Sequence, residues 1–286
     1  MNATLPPVSA ACRAPEDLLA EWDAKARRFE TPCGEGRMVW RAWGEGPPVL
    51  LLHGSHGAWS HWIRNLEALA VDRTVWAPDL PGFGDSDMPP SLESGQAYIE
   101  PLAAGLRSLL GEAPAVPVVG FSFGGVMGAE LAAACPELVG RLILVDTGGL
   151  GTPQGDIRLT RVRGLQGAER RAAMTANLLG MMIHAPESVD ELALHLQGLN
   201  PPRGRAAIQY LVLPDKLLHS LPKVRARVDA IWGEFDRPHP DPDLQAAVLR
   251  TVKPDLELRV IASAGHWSMY EGAEQFNIVV RELLDR

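Results

Sequence analysis

The order of apolar and polar residues along this chain alternates between two periodicities. Short apolar or alternating runs, typical of β-strands, are separated by stretches in which apolar residues recur at helical spacing. The predicted strands cover residues 37–43, 48–52, 74–77, 117–119, 141–146, 228–233 and 257–261. Helices are predicted at 59–70, 94–110, 126–134, 242–251 and 274–284. Continuous apolar strands that alternate with helices indicate a parallel sheet with right-handed crossovers, and hence an α/β fold.

The alternation stops near Thr147. Between residues 148 and 223 no strand-like run occurs, whereas helical spacing recurs at 170–182, 189–199 and 205–218. We therefore predict a core formed by 1–147 and 224–286, interrupted by a helical insertion at 148–223. The first 34 residues are predicted to be a surface lead-in with one short helix that begins near Pro15.

Ser122 is the central residue of a Gly-x-Ser-x-Gly pattern between an apolar run and a helix of small residues. A strand that turns into a helix within so few residues strains the backbone of its central residue. Gly120 and Gly124 have no Cβ and let the two arms pack closely. The hydroxyl would then stand clear of the sheet at the positive end of a helix. A plain glycine-rich turn is the alternative, but the flanking strand and helix favour a nucleophile.

A serine nucleophile needs a base and a third group that orients the base. In a parallel sheet, such groups collect beyond the carboxyl ends of the later strands. Asp236 and His266 each follow a predicted strand, and the order Ser122, Asp236, His266 is the Ser…Asp…His order of one known triad arrangement. Asp146 also ends a strand and is the rival acid. A helix-capping aspartate and a hydrogen-bonded surface histidine are the structural alternatives.

Hydrolysis also requires donors for the developing oxyanion. We predict two backbone donors, the N–H of Phe123 directly after the nucleophile and the N–H of Ser55 in the loop after the second predicted strand. A structural turn is the alternative for that loop. Its histidines, His53 and His56, are expected to shape the loop rather than to transfer protons.

Composition narrows the range of partners. The chain has 286 residues, of which 46% are hydrophobic and 22% charged, as is ordinary for a globular protein. A formal net charge of −8 argues against nucleic acid or an anionic membrane as the partner. The cysteines Cys12, Cys33 and Cys135 have no metal-like spacing, which predicts reduced thiols and a cytoplasmic protein. No apolar run is long enough to span a membrane, and no signal peptide is predicted.

No metal or organic cofactor is expected, because the sequence contains neither a ligand cluster nor a phosphate-binding loop. Gly82-Phe83-Gly84 is better interpreted as a turn near the end of the sheet. The predicted partner is a small-molecule substrate. A homodimer is the candidate assembly.

Together these motifs resemble the α/β-hydrolase superfamily, and the resemblance extends over nearly the whole chain from Arg37 onward. The segments that carry it are His53-Gly54, residues 79–86 (DLPGFGDS), the 120–124 elbow, Trp232-Gly233-Glu234-Phe235-Asp236 and Gly265-His266. The resemblance implies a mostly parallel central sheet flanked by helices, with a helical lid inserted after the sixth strand and covering the nucleophile.

Within the superfamily, the final segment is similar to the meta-cleavage-product hydrolases, which cut a carbon–carbon bond in vinylogous 1,5-diketone acids. Their Gly-His-Trp, later Glu and Phe-Asn pair correspond here to 265–267, Glu271 and 276–277. Residues 59–65 (WSHWIRN) also look like that family's Trp-Ser-x-x-x-Arg-Asn.

The chain departs from that family in the substrate pocket. Phe121 and His61 stand where the family carries asparagines, and Gln197 stands where it uses a lid arginine to hold a carboxylate. Arg203 and Arg205 follow a few residues later. The oxyanion loop also lacks the family's Gly-Pro-Gly. The predicted substrate-binding residues are Phe121, His61, Trp267, Gln197 and Met182.

Three functions stay open on sequence. The first is a serine hydrolase, either a carbon–carbon bond hydrolase or a carboxylesterase or lactonase, acting on a small apolar or aromatic substrate. The second is a non-hydrolytic enzyme on the same scaffold, such as a cofactor-free oxygenase or a haloperoxidase-like enzyme. The third is a small-molecule receptor that retains its triad.

Overall fold

A single eight-stranded sheet organises the protein. The computed structural model describes residues 13–111, 115–212 and 214–286. The strand order is β1-β2-β4-β3-β5-β6-β7-β8. The strands are β1 Arg27–Cys33, β2 Gly36–Trp43, β3 Pro48–Leu52, β4 Thr74–Pro78, β5 Val116–Phe121, β6 Val139–Val145, β7 Arg227–Gly233 and β8 Leu258–Ile261. Strand β2 is antiparallel to both neighbours, whereas β3 to β8 run parallel.

The central strands are buried on both faces. Successive side chains of a strand point to opposite sides of the sheet. In β3, Leu50 and Leu52 accordingly belong to one hydrophobic core, and Val49 and Leu51 to a second core. This double burial explains why these strands are continuous apolar runs in the sequence.

Helices cover both faces of the sheet. They are α1 Pro15–Lys25, α2 Leu66–Ala70, α3 Gly95–Leu110, α4 Phe123–Ala134, α5 Gly167–Asn177, α6 Glu191–Leu199, α7 Lys216–Ser220, α8 Pro242–Val252, α9 Ser268–Glu271 and α10 Ala273–Leu284. A π-helical turn, Leu178–Met182, continues α5. None of the described helices is both long enough and apolar enough to cross a bilayer.

The amino-terminal lead-in contains a strand that the sequence did not predict. Strand β1 pairs with β2 at the edge of the sheet, and in it only Thr31 and Cys33 are buried. An edge strand needs few apolar residues and tolerates proline, here Pro32, so its pattern resembles that of a loop. The part of the lead-in before Arg13, including Cys12, lies outside the described residues. Cys33 and Cys135 are buried free thiols.

Two helix predictions were wrong in extent. In the predicted helix at 205–218, the described residues 205–212 and 214–215 are not helical, and α7 begins at Lys216. The N–H groups of Arg205 and Ala206 donate to the carbonyl of Gly82 instead, and Pro214 has no N–H to continue a helix. The predicted helix at 59–70 is a 3₁₀ turn, Trp59–Trp62, followed by the short α2. The described residues between β6 and β7 contain helices and irregular segments but no strand; whether they form a separate helical insertion stays a prediction.

Candidate active site

The sharp turn between β5 and α4 holds Ser122 in a strained conformation. Its φ is 50° and its ψ is −116°, a region that residues with a Cβ rarely adopt. A Cβ on Gly120 would lie 2.5 Å from the carbonyl oxygen of Gly124, and one on Gly124 would lie 2.3 Å from that of Leu52. The N–H of Ser122 donates to the carbonyl of Val145 in β6 at 2.8 Å. Close packing therefore fixes the serine beyond the end of the sheet.

Ser122, His266 and Asp236 are brought together by three parallel strands. The Nε2 atom of His266 lies 3.2 Å from Ser122 Oγ. Its Nδ1 lies 3.1 Å from both carboxylate oxygens of Asp236. Asp236 follows β7 and His266 follows β8, and both side chains are almost fully buried. This is the geometry in which a carboxylate orients an imidazole and the imidazole takes a proton from a hydroxyl.

The rival acid, Asp146, does not contact His266. It follows β6 with a φ of 46°, and its carboxyl group accepts hydrogen bonds from the Gly233 N–H at 2.6 Å and from the Ser268 hydroxyl. Burial, and then the nearby charge of Asp236, raise the pKa of Asp146 well above its ordinary value. The Asp146 carboxyl group therefore links the end of β6 to the end of β7. It also resists ionisation.

Asp236 is held in its ionised form. Burial alone would raise the pKa of its carboxyl group, but the imidazoles of His266 and His239 outweigh that effect and lower the pKa to about 2. A carboxylate at neutral pH is what an orienting acid requires.

The predicted oxyanion donors border the same cavity as the serine. This cavity, here named the serine cavity, has a volume of about 210 Å³. Its lining includes Ser55, Ser122, Phe123, His239 and His266. Phe123 is the first residue of α4, so its N–H has no partner within the helix. The role of Ser55 and Phe123 as donors stays a prediction.

His53 is fixed by hydrogen bonds on both ring nitrogens. Its Nε2 accepts the Leu80 N–H at 2.9 Å, so Nδ1 is the atom that donates to the Gly54 carbonyl at 2.7 Å. Burial lowers the pKa of His53. The ring therefore holds the loop after β3, as the sequence predicted, and is not free to transfer a proton.

A second cavity of about 310 Å³ adjoins the first, and Ser55 and Met181 line both. We name it the side cavity. Its walls include four of the five predicted substrate-binding residues, His61, Met182, Gln197 and Trp267. The Trp267 indole donates to the His61 carbonyl at 3.1 Å, and burial lowers the pKa of His61 well below its ordinary value.

Phe121, the fifth predicted substrate-binding residue, lies behind the cavity walls. It is buried between the rings of His61 and His266, at centroid distances of 5.6 and 5.0 Å, and it lines neither cavity. Its contribution to substrate binding stays a prediction.

No lysine or arginine is among the described residues that line either cavity. Arg203 binds the Asp85 carboxylate and Arg205 donates to the Ser86 carbonyl. Both arginines therefore tie the segment between β6 and β7 to the loop after β4 instead of facing the serine.

Known proteins share this sequence pattern and this fold. A family model described as the alpha/beta hydrolase fold matches residues 47–180. A 2-hydroxy-6-oxononadienedioate/2-hydroxy-6-oxononatrienedioate hydrolase from a Pseudomonas species is 30% identical over 257 residues, covering 83% of this chain and 88% of that enzyme. The chain belongs to the α/β-hydrolase family. Both the predicted resemblance and the prediction of an α/β-fold hydrolase are thereby confirmed.

Two further known proteins are similar to this chain, one in sequence and one in fold. A 2-hydroxymuconate semialdehyde hydrolase from Pseudomonas putida is 33% identical over 258 residues, which cover 84% of this α/β-hydrolase and 88% of the relative. The structure of a thermophilic esterase from Thermogutta terrifontis superposes with a TM-score of 0.70 at 24% identity, covering 91% of this chain and 98% of the esterase. The latter likeness concerns the fold alone.

Two residues of this α/β-hydrolase support the site in ways that the sequence did not predict. The Glu271 carboxylate accepts hydrogen bonds from the N–H groups of Gly265, His184 and Ala185, which joins the His266 loop to the segment between β6 and β7. His239 lines the serine cavity, with its Nδ1 3.5 Å from Asp236 Oδ2. The position of His239, three residues after the predicted acid Asp236, was the sequence signal that could have pointed to it.

Proposed function

We propose that this α/β-hydrolase is a serine hydrolase in which Ser122 is the nucleophile, His266 the general base and Asp236 the orienting acid. The observation that carries the proposal is the unbroken chain of contacts from Ser122 Oγ through the His266 ring to Asp236. A serine hydroxyl is a weak nucleophile until such a base removes its proton.

The same contacts suggest the order of steps. Ser122 Oγ attacks a carbonyl carbon as His266 Nε2 takes its proton, and the oxyanion accepts hydrogen bonds from the N–H groups of Ser55 and Phe123. His266 then returns the proton to the leaving group, which departs and leaves an acyl-serine. Water, activated by His266 in the same way, releases the acid and restores Ser122.

We further propose that residues 148–223 form the lid over this site. Met181, Met182 and Gln197 belong to this segment, and each lines at least one of the two cavities. Methionine side chains adapt to different ligand shapes, which suits a lid that closes over an apolar substrate.

An uncharged ester or lactone of a small apolar or aromatic acid fits this site best. The lining of the side cavity combines Leu159, Met181, Met182 and Leu196 with uncharged polar groups, and its described residues include no cation. A carboxylate buried there without a partner would cost several kcal/mol. This absence of a counter-charge favours the esterase over the carbon–carbon bond hydrolase.

Carbon–carbon bond hydrolysis is the second candidate. Relatives that are 30% and 33% identical over most of this chain are named as hydrolases of 2-hydroxy-6-oxononadienedioate and of 2-hydroxymuconate semialdehyde. Gln197 and His61 would then have to bind the substrate carboxylate through hydrogen bonds alone.

Measuring kcat/KM for p-nitrophenyl butyrate and for 2-hydroxymuconate semialdehyde in one buffer separates the two candidates. We expect kcat/KM to be at least about tenfold higher for the ester, because a polar group of the substrate that is buried without a partner commonly lowers kcat/KM by that factor. We expect Ser122→Ala to abolish turnover. A preference for the semialdehyde would make carbon–carbon hydrolysis the function. A Ser122→Ala protein that hydrolyses either substrate at the wild-type rate would contradict the serine mechanism.

A further inference from the structure

His239 is held rigidly beside Asp236. Its backbone N–H donates to Asp236 Oδ1 at 3.0 Å, and its carbonyl accepts the indole N–H of Trp232 at 3.1 Å. Pro238 and Pro240 flank it, and each proline fixes its own φ and restricts the residue before it. The loop between β7 and α8 therefore presents this imidazole in one place.

The ring itself has an unused nitrogen that faces a carboxylate. His239 Nδ1 is buried and makes no hydrogen bond, although Asp236 Oδ2 is only 3.5 Å away. Gly148 makes room for the ring, since a Cβ at that position would lie 2.6 Å from His239 Nε2. Asp236 is thus placed between two imidazoles, those of His239 and His266.

These three side chains offer the donors that a divalent transition-metal ion prefers. One ligand atom from each of Asp236, His239 and His266 can be chosen so that all three lie within 4.8 Å of one another. Zinc binds imidazole nitrogen and carboxylate oxygen at about 2.0–2.2 Å, so tetrahedral donors lie about 3.4 Å apart. Asp236 Oδ2 lies 3.1 Å from His266 Nδ1 and 3.5 Å from His239 Nδ1, which is close to that spacing.

We propose that Asp236, His239 and His266 form an inhibitory binding site for a divalent ion of the zinc type. The serine cavity, which His239 and His266 both line, supplies the route of entry and room for a water as fourth ligand. The binding part of the proposal is independent of the reaction that the enzyme catalyses, whereas the inhibitory part rests on the proposed function.

Inhibition follows from the two ring nitrogens of His266. In the catalytic arrangement Nδ1 carries the proton that faces Asp236, and Nε2 has the lone pair that faces Ser122. A metal ion can bind Nδ1 of the neutral ring only in the other tautomer, in which Nδ1 has the lone pair and the single proton has moved to Nε2. The ring then cannot accept the proton of Ser122, so the serine is not activated.

Isothermal titration calorimetry of the whole protein with ZnCl₂ tests the binding part of the proposal. We expect wild type and Ser122→Ala to bind one strongly held ion each. His239→Asn should bind the ion at least about tenfold more weakly. Even the loss of a residue that only hydrogen-bonds to a metal ligand lowers metal affinity by that factor. The matched control is His219→Asn, which removes an exposed imidazole 3.0 Å from the Asp215 carboxylate and should change nothing. A second variant, His239→Gln, and thermal melting curves guard against misfolding.

Equal zinc affinity in wild type and in both folded His239 variants would overturn the proposal, as would the lack of any saturable binding.

Ester hydrolysis tests the inhibitory part. For each variant, the rate with zinc is divided by that variant's own rate without zinc. We expect zinc to inhibit wild type and His219→Asn at concentrations that leave His239→Asn active. If zinc binds as expected but no variant hydrolyses any substrate, the metal site stands and the proposed function fails. If zinc inhibits wild type and His239→Asn alike, the inhibitory part of the proposal fails and the hydrolase stands.

Discussion

The buried carboxyl groups of Asp146 and Asp236 lie at the ends of the adjacent strands β6 and β7, near enough for the charge of Asp236 to raise the pKa of Asp146. Two carboxylates in one buried region do not both ionise readily. The imidazole neighbours of Asp236 hold its pKa at about 2, so the negative charge resides there. Of these two acids, Asp236 is the one that contacts His266.

Exchanging each acid for its amide should therefore have unequal effects on turnover. We expect Asp236→Asn to lower kcat by about 10⁴-fold, because the amide no longer fixes the tautomer of His266. Asp146→Asn should change kcat little, since an amide oxygen can still accept the Gly233 N–H. Steady-state hydrolysis of p-nitrophenyl butyrate measures both. A crippled Asp146→Asn beside an active Asp236→Asn would reverse the assignment of the acid.

Asp146 should also affect stability in a pH-dependent way. Its pKa is raised in the folded state, so the folded protein keeps a proton that the unfolded chain releases above the ordinary aspartate pKa of about 3.9. The stability that this proton contributes at acid pH is lost as the pH rises above that value. We expect Asp146→Asn to raise Tm relative to wild type more at pH 7 than at pH 4. The exposed Asp156→Asn is the control, and an equal change in Tm at both pH values would contradict the raised pKa.

Glu271 should matter for both stability and rate. Glu271→Ala removes the acceptor of three backbone N–H groups, of Gly265, His184 and Ala185. We expect it to lower the free energy of unfolding by about 1–3 kcal/mol and to lower kcat through a looser His266 loop. Urea unfolding and ester hydrolysis measure the two effects. Glu271→Gln should be intermediate, and the exposed Glu274→Ala should resemble wild type; a Glu271→Ala protein that matched Glu274→Ala would show that these contacts do not position His266.

A cation in the side cavity should change the preferred substrate. Gln197 lines this cavity, and Gln197→Arg would supply the positive charge that its described lining lacks. Hydrogen bonds to charged groups contribute about 1.5–3 kcal/mol, so we expect the ratio of kcat/KM for 2-hydroxymuconate semialdehyde to that for p-nitrophenyl butyrate to rise at least about tenfold. Gln197→Met, which adds no charge, is the matched control. An unchanged ratio in Gln197→Arg would mean that the substrate carboxylate does not reach this cavity.

The sequence predicted the fold well where one periodicity dominates. Strands β3, β5 and β6 are buried on both faces, so their apolar runs could not belong to exposed loops. Strand β1 was not predicted, because in this edge strand only Thr31 and Cys33 are buried. The predicted helix at 205–218 failed because a tertiary contact, with Gly82, replaces the helical hydrogen bonds of its first residues.

Some residues of the candidate site could be predicted from the sequence and others could not. Ser122, Asp236 and His266 could be proposed because each follows a strand of a parallel sheet, and such strand ends meet at one edge. The approach of His239 to Asp236 and the bond between Glu271 and Gly265 depend on loop conformations, which no spacing rule fixes. The uncharged lining of the cavities likewise emerges only when Arg203 and Arg205 are found bound to other residues.

Reaction with a fluorophosphonate, followed by peptide mass spectrometry, tests most directly whether Ser122 is the activated nucleophile. We expect a single adduct on Ser122 in wild type, none in Ser122→Ala, and at least about 10³-fold slower labelling in His266→Ala because the base is lost. Ser55→Ala should label normally, since only its backbone N–H is assigned a role. An adduct on another serine, or labelling of Ser122 at an unchanged rate in His266→Ala, would contradict the proposed mechanism.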